Sequence, residues 1–358
     1  MEQLVELGFY GLAGHSNSPR DLVAECRRAE EIGLGSTFLS ERFNVKDAAV
    51  LSGAAGAVTE HLGVATGATN HNTRHPLVTA TFAATAYRLT EGRFALGLGR
   101  GFGFLFDLMG LPKVTGAQLE DVVGVLRRVW AGEYVAGHDG PAGRYPLLFQ
   151  DPPLGEQVPV MLCALGEQTL ELAGSVFDGV ILHTFFTDDT LARSVAAVRR
   201  GAERAGRDPA AVRVWSVLAC VGDDLDEDAR LRKLVGRLAT YCQAYGDLLV
   251  SVNGWDPTVL DRFRADEVVA SQTGAIDAKA SIDDLRHIAG LFPEEWLAAS
   301  ATGSPEDRAR RVLDQFDAGA DGVILHGATP DELAPVLDAY RPIRPAARFV
   351  GRVANPGR

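Results

Sequence analysis

Phe177-Asp178-Gly179-Val180-Ile181-Leu182-His183 and Ala320-Asp321-Gly322-Val323-Ile324-Leu325-His326 decide the fold of this chain. Each passes from an acid and a glycine into an uninterrupted apolar run, the pattern of a strand buried on both faces of a parallel sheet. Chance similarity between two buried strands is one reading of the echo. The other is that they are equivalent strands of one barrel, each ending in a histidine at the same rim. Working outward, similar short runs occur at 5–10, 36–40, 63–70, 93–99, 158–164 and 213–221, separated by helical patterns. With 179–183 and 322–326 they make eight strands in βα alternation. An open dinucleotide-binding sheet would need a G-x-G-x-x-G turn after the first strand, and Gly11-Leu12-Ala13-Gly14-His15 has no such spacing. The expectation is a single closed (β/α)8 TIM barrel over residues 1–340, with insertions at about 104–157 and 225–299 over its C-terminal face, and a tail at 341–358 that wraps the barrel or is disordered.

Composition narrows the function classes. The 358 residues are 46% hydrophobic and 23% charged, which is globular, and long enough to bury a large core. A net charge of −12, from 35 basic against 47 acidic residues, argues against nucleic acid or an anionic membrane as partner. No apolar run approaches a membrane span, and two glutamates within Met1–Phe9 replace the basic start of a signal peptide, so a soluble, cytoplasmic protein acting on small molecules is expected. Cys26, Cys163, Cys220 and Cys242 form no C-x-x-C pair and read as buried thiols. His71 and His75 stand four apart in a loop-like segment, without the helix that would make them zinc ligands, so no metal is expected.

Helix starts fit the barrel: Ser18-Pro19-Arg20-Asp21 and Ser304-Pro305-Glu306-Asp307 each place a capping hydroxyl before a proline, with an acid three residues on. The stretch 132–153, rich in glycine and proline, reads as turns or an extended surface crossing. Reactive groups of a barrel sit at the C-terminal strand ends, here Tyr10 and His15, Glu41 and Arg42, 66–72, 100–103, 164–169, His183 and His326. They contain no acyl-transfer triad and no paired carboxylates at adjacent ends, so hydrolysis is disfavoured. They do contain glycines where backbone must approach a ligand, in Gly99-Arg100-Gly101-Phe102-Gly103 and in Leu165-Gly166-Glu167-Gln168-Thr169, which opens a helix. Together on one rim they point to a large planar ligand with a phosphorylated tail.

The order of these motifs resembles the luciferase-like monooxygenase superfamily, and within it the branch using the deazaflavin coenzyme F420. Thr66-Gly67-Ala68-Thr69-Asn70-His71-Asn72-Thr73-Arg74-His75-Pro76 is similar to the third-strand segment of that branch's reductases, and Ser40-Glu41-Arg42-Phe43, Gly92–Gly99 and Glu171–Gly174 running into Asp178-Gly179-Val180 also match. The resemblance implies a non-prolyl cis peptide at Gly67-Ala68 supporting the middle ring of F420. It further implies cofactor contacts at Asn70, Arg100 and Gly101, a tail cradle at Leu165, Gly166, Gln168 and Thr169, and a homodimer. Departures matter too. Glu41-Arg42 replaces the Asp-His pair of the sugar-phosphate dehydrogenases, and Phe102 replaces their glutamate, so their proton-transfer machinery does not carry over. Arg42 is then an anchor for a carboxylate, a carbonyl oxygen or cofactor charge, and Glu41 a cofactor contact, an acid or a rim ion-pair partner. His183 is a candidate proton donor, or a rim histidine satisfied by backbone, and His15, Phe102 and His183 are candidate substrate contacts. Phenylalanines 102, 104, 106, 185 and 186 would make an apolar mouth suited to a hydrophobic or aromatic substrate. The implied activity is hydride exchange between F420 and a carbonyl, alkene or imine carbon. The alternatives are an FMN-dependent monooxygenase of the same fold and a barrel that binds a cofactor without catalysis.

Overall fold

The computed structural model describes residues 2–13, 18–43, 45–101 and 103–358, apart from the side chain of Phe104. Eight parallel strands close a barrel: β1 (Leu4–Tyr10), β2 (Leu34–Leu39), β3 (Gly63–Thr66), β4 (Phe94–Leu98), β5 (Val160–Cys163), β6 (Gly179–Ile181), β7 (Arg213–Gly222) and β8 (Gly322–His326). Each pairs with the next, β8 pairs with β1, and the twin segments both flank β7, with Val180 opposite Val214 and Val323 opposite Ser216.

Side chains alternate between two cores, as the twofold period of a strand requires. Phe38, Ala65, Ala95, Met161, Ile181, Trp215, Val217 and Ile324 fill the barrel, where Phe38 meets Trp215 edge-on at 5.0 Å. Their neighbours Leu39, Val64, Phe94, Leu96, Val214, Val323 and Leu325 face the helices and join the outer core. At Gly97 a Cβ would stand 1.9 Å from the carbonyl oxygen of Thr66, so only glycine lets β3 and β4 come this close. The Thr66 hydroxyl uses that space, accepting from the Gly97 amide and donating to its carbonyl, both at 2.7 Å.

Several local expectations need correction. The third strand stops at Thr66 rather than running to residue 70, because the Gly67-Ala68 bond is cis and only Thr69 rejoins the sheet, as a single bridge to Leu98. Ser304 forms the expected capping box with Asp307, whereas the first helix starts at Asp21: Ser18 opens the turn that leads into it, its carbonyl accepting from the Asp21 amide at 3.2 Å. Residues 132–153 are not merely turns, since Val135–Gly140 and Gly143–Leu148 pair as an antiparallel hairpin. Just after the second insertion Ala301–Gly303 adds a short strand beside the end of β7. The insertion itself is mostly helical, held together by Trp255 stacked on Trp296 at 4.4 Å.

The tail is ordered and plugs the N-terminal end of the barrel. Trp215 Nε1 donates to the Pro356 carbonyl at 2.8 Å, and fully buried Arg213 donates to the carbonyls of Asn355 and Arg358 at 3.0 and 2.8 Å. Asn355 donates to Gly92 and Phe94 at 2.6 and 2.9 Å. Gly63 is glycine for the same reason, since its Cβ would lie 2.0 Å from the Ala354 carbonyl oxygen. Among the described residues no helix is long and apolar enough to cross a membrane.

Candidate active site

On the flank of β2 and β3, Glu41 and Arg74 form a bidentate ion pair, with contacts of 2.7 and 2.5 Å and side chains only 5% and 16% exposed. The Thr69 hydroxyl donates to Glu41, and Arg74 also reaches Asp47 at 2.6 Å. The Glu41 amide donates to the Ala68 carbonyl and the Gly67 amide to that of Leu39, so the cis bond is tied to β2 on both sides. Glu41 is thus fully engaged in bracing the rim. Beside it opens a cavity of about 690 Å³, lined by Glu41, Phe43, Lys46, Arg74, Met109 and Leu111 among others.

The opposite flank is roofed by the helix Arg237–Asn253, from the second insertion. His183 Nδ1 lies 2.8 Å from the Thr184 carbonyl oxygen, and Nε2 lies 2.6 Å from the Tyr245 hydroxyl. A carbonyl can only accept, so Nδ1 carries the proton of the neutral ring and Nε2 accepts from Tyr245. Burial pushes the His183 pKa down to about 4, which keeps the ring neutral. His183 therefore has no spare proton facing the mouth, and the proton held between the two side chains is the one on the Tyr245 hydroxyl. Tyr245 is aimed by a break in its helix, at φ −157° and ψ 38°. Tyr241 packs against His183 at 4.7 Å, and Tyr10 against His326 at 5.1 Å. Burial raises Tyr10 and Tyr245 well above the usual phenol range and pushes His326 well below the usual imidazole range. Asn253 fixes the loop after His183: it donates to the Phe185 carbonyl at 2.9 Å, holding Phe185 at φ 64°, and accepts from the Thr187 amide at 3.2 Å.

Three cations gather between these flanks. Arg42 and Lys46 close a turn, each amide donating to the other's carbonyl, at 3.1 and 2.9 Å. Arg237 pairs with Asp277 at 3.0 Å, both side chains almost wholly buried. Lys46 donates to the Leu12 carbonyl at 3.2 Å, and burial together with Arg42 pushes its pKa down to about 8. Arg42 is lowered by burial and then by Arg237. Among the described residues its guanidinium has no hydrogen-bond partner.

Across β3 and β4 the rim is built of backbone. Buried Asn70 donates to the Gly99 carbonyl at 2.7 Å, while Arg100 and Gly101 are exposed, Gly101 at φ 67° where a Cβ would collide with Phe106. Gly166 starts the helix Glu167–Val176 without a side-chain cap, and a Cβ there would meet open space. Gln168 is exposed, and Leu165 and Thr169 are half-buried.

A family model described as luciferase-like monooxygenase matches residues 6–322. The chain belongs to that family. It is 28% identical over 304 residues to the 5,10-methylenetetrahydromethanopterin reductase of Methanolobus tindarius, covering 83% of this chain and 86% of the relative. It is 25% identical over 362 residues to the F420-dependent glucose-6-phosphate dehydrogenase of Beutenbergia cavernae, covering 94% and 95%. Among solved structures, the coenzyme F420-dependent tetrahydromethanopterin reductase of Methanopyrus kandleri superposes with a TM-score of 0.79 at 22% identity, over 96% of this chain and 99% of that one. An F420-dependent secondary alcohol dehydrogenase in complex with an F420-acetone adduct superposes at 0.70 with 19% identity, over 95% and 100%.

In this luciferase-like barrel the structure gathers Glu41, Gly67, Ala68 and Asn70 on one flank and Arg42 and His183 near the roof. Leu165–Thr169 stand apart, separated from Glu41 by β3 and β4. His15 and Phe102 lie outside the described residues. Phe106 and Phe185 are fully buried and Phe186 is 6% exposed, so they pack into the core instead of lining an apolar mouth. Sequence reasoning missed Arg74, Lys46, Arg237, Tyr241, Tyr245 and Asp277 as site residues. Arg237, Tyr241 and Tyr245 fall at i, i+4 and i+8 of one helix, a spacing that puts them on one face.

Proposed function

We propose that this protein is an F420-dependent oxidoreductase acting on a carbonyl, alkene or imine carbon of an organic substrate with an aromatic or apolar body. The observation that carries the reading is the rim of the barrel. The tied-down cis bond at Gly67-Ala68 stands beside Gly99, whose Cβ would touch that of Ala68 at 3.1 Å, and open backbone follows at Gly166. A flat ring system needs a wall without side chains, and an acidic tail needs a helix start with available amides, so these residues fit such a group. Gly67, Ala68, Asn70, Arg100 and Gly101 would hold the ring, and Leu165, Gly166, Gln168 and Thr169 the tail.

When bound, the deazaflavin supplies or accepts the hydride. The chain's own residues do the rest. Tyr10, Tyr241 and Tyr245 orient an aromatic body, and the insertion helix excludes water from the mouth. Tyr245 gives its proton to the reduced substrate, its hydroxyl positioned by His183 and its ionisation eased by nearby Arg237 against the effect of burial. Glu41 holds Arg74 and so braces the rim instead of moving a proton. The test is to titrate purified apoprotein with F420 and with FMN and record which spectrum is retained. Tight retention of FMN alone refutes the reading, and F420 bound with no FMN retained supports it.

A homodimer fits the same reading. Between the helices Ala48–Val58 and Pro76–Leu89 runs an apolar groove of about 510 Å³ that includes Gly53, Leu77, Val78, Phe82 and Leu89; Val78 is 55% exposed, and Val50 beside the groove is 71% exposed. A second copy of this face would cover it.

A further inference from the structure

The cations at the mouth lack a matching set of acids. Arg237 pairs directly with Asp277, which also acts on Arg42 without bonding to it, and Lys46 has a carbonyl with Glu25 in the vicinity. Glu25 is itself occupied with the Leu12 amide at 2.7 Å, and Glu41 and Asp47 are both taken by Arg74. That leaves the half-buried Arg42 guanidinium without a hydrogen-bond partner among the described residues. Arg237, Arg42 and Lys46 all push His326 in the same direction as burial does, so the field at the mouth is positive. Keeping a partly desolvated cation unpaired costs stability, and a fold gains nothing from it unless something else supplies the counter-charge. The bridged turn from Arg42 to Lys46 keeps the two charges near each other, and Lys46 lines the open cavity, so a small molecule there meets Lys46 with Arg42 close behind it.

We infer that Arg42, flanked by Lys46 and Arg237, anchors an oxyanion carried by the substrate, which is therefore an organic acid bearing a carboxylate or phosphate group and not a neutral ketone or alcohol. The proposal rests on the oxidoreductase reading only in taking the barrel mouth as the substrate's place. A guanidinium with its fork open forms paired charge-assisted hydrogen bonds to such a group. The charge would fix the substrate at one end while the tyrosines hold its body.

The test uses benzoate, phenyl phosphate and the neutral benzamide, titrated calorimetrically into wild type, Arg42→Met, Arg42→Lys and Lys46→Met, with F420 binding followed separately by fluorescence. The expected result is that at least one anion binds about tenfold tighter than benzamide to wild type. That gap closes in Arg42→Met, narrows in Lys46→Met and partly survives in Arg42→Lys, while F420 affinity stays within about twofold. Comparing benzoate with phenyl phosphate identifies which oxyanion is preferred. Arg42→Met should also melt a few degrees higher, having lost an unpaired charge. Equal binding of benzamide, no binding by either anion, or a gap that persists in Arg42→Met overturns the proposal. So does a loss of F420 affinity in place of anion affinity. Wild type that keeps the anion preference but binds no F420 leaves the anchor standing and sinks the cofactor reading.

Discussion

The Tyr245 hydroxyl donates to Nε2 of His183 at 2.6 Å, and His183 in turn spends its own proton on the Thr184 carbonyl at 2.8 Å. The direction of these bonds makes the tyrosine the proton carrier and the histidine its positioner. Tyr245→Phe should lower kcat by about 10²–10³-fold with cofactor affinity unchanged. His183→Gln, whose side-chain oxygen can still accept from the hydroxyl, should cost less. If His183→Gln proves the more damaging of the two in single-turnover assays, the assignment is reversed.

The depressed imidazole also has a signature in stability. The folded His183 pKa of about 4 lies below the ordinary value of 6.5, so between those pH values the unfolded chain binds the extra proton. Stability therefore falls as pH drops from about 6.5 towards 4, and His183→Gln should flatten that limb of a denaturation series. Lys46 behaves likewise at higher pH: its folded pKa of about 8 is below 10.5, so its contribution rises as pH climbs through that window. The difference in stability between wild type and Lys46→Met should shrink from pH 8 to 10.5.

Breaking the rim pair should be costly on one side in particular. Arg74→Met leaves the Glu41 carboxylate buried without its partner, and a loss of about 3 kcal/mol in urea denaturation is expected. Glu41→Gln keeps hydrogen bonding to Thr69 and Arg74 and should cost less. Equal, negligible effects would show that the pair does not brace the rim.

The plug predicts a change remote from the mouth. Asn355→Ala strands the carbonyls of Gly92 and Phe94 inside the barrel end, at about 2–4 kcal/mol. F420 titration of the variant at low temperature should match wild type, since the plug and the mouth lie at opposite ends of the strands.

Val78→Glu puts a charge into the apolar groove between the second and third barrel helices. If a second copy covers that groove, sedimentation should show monomers for the variant and dimers for wild type. A wild type that sediments as a monomer removes the homodimer.

The twin Asp-Gly-Val-Ile-Leu-His runs and the eight-strand count made the barrel legible from the chain alone, while the cis bond in the third strand was implied by the family resemblance that Thr66 to Pro76 carries, the strand pattern itself running on to residue 70. Those features are local: apolar runs and glycine positions encode strand pairing and backbone approach directly. The roles of the side chains were not legible. Glu41 reads equally well as an acid or as a strut until Arg74, 33 residues away, is seen on it. His183 reads as a proton donor until Tyr245, from an insertion 62 residues on, fixes its tautomer. The five phenylalanines read as a pocket lining, yet packing turned Phe106 and Phe185 into the core. Periodicity and glycine act within a few residues, so the strands and their close approaches follow from the chain itself. Charge state, hydrogen-bond direction and the unpaired Arg42 depend on groups brought together from distant elements, so only the folded barrel decided them.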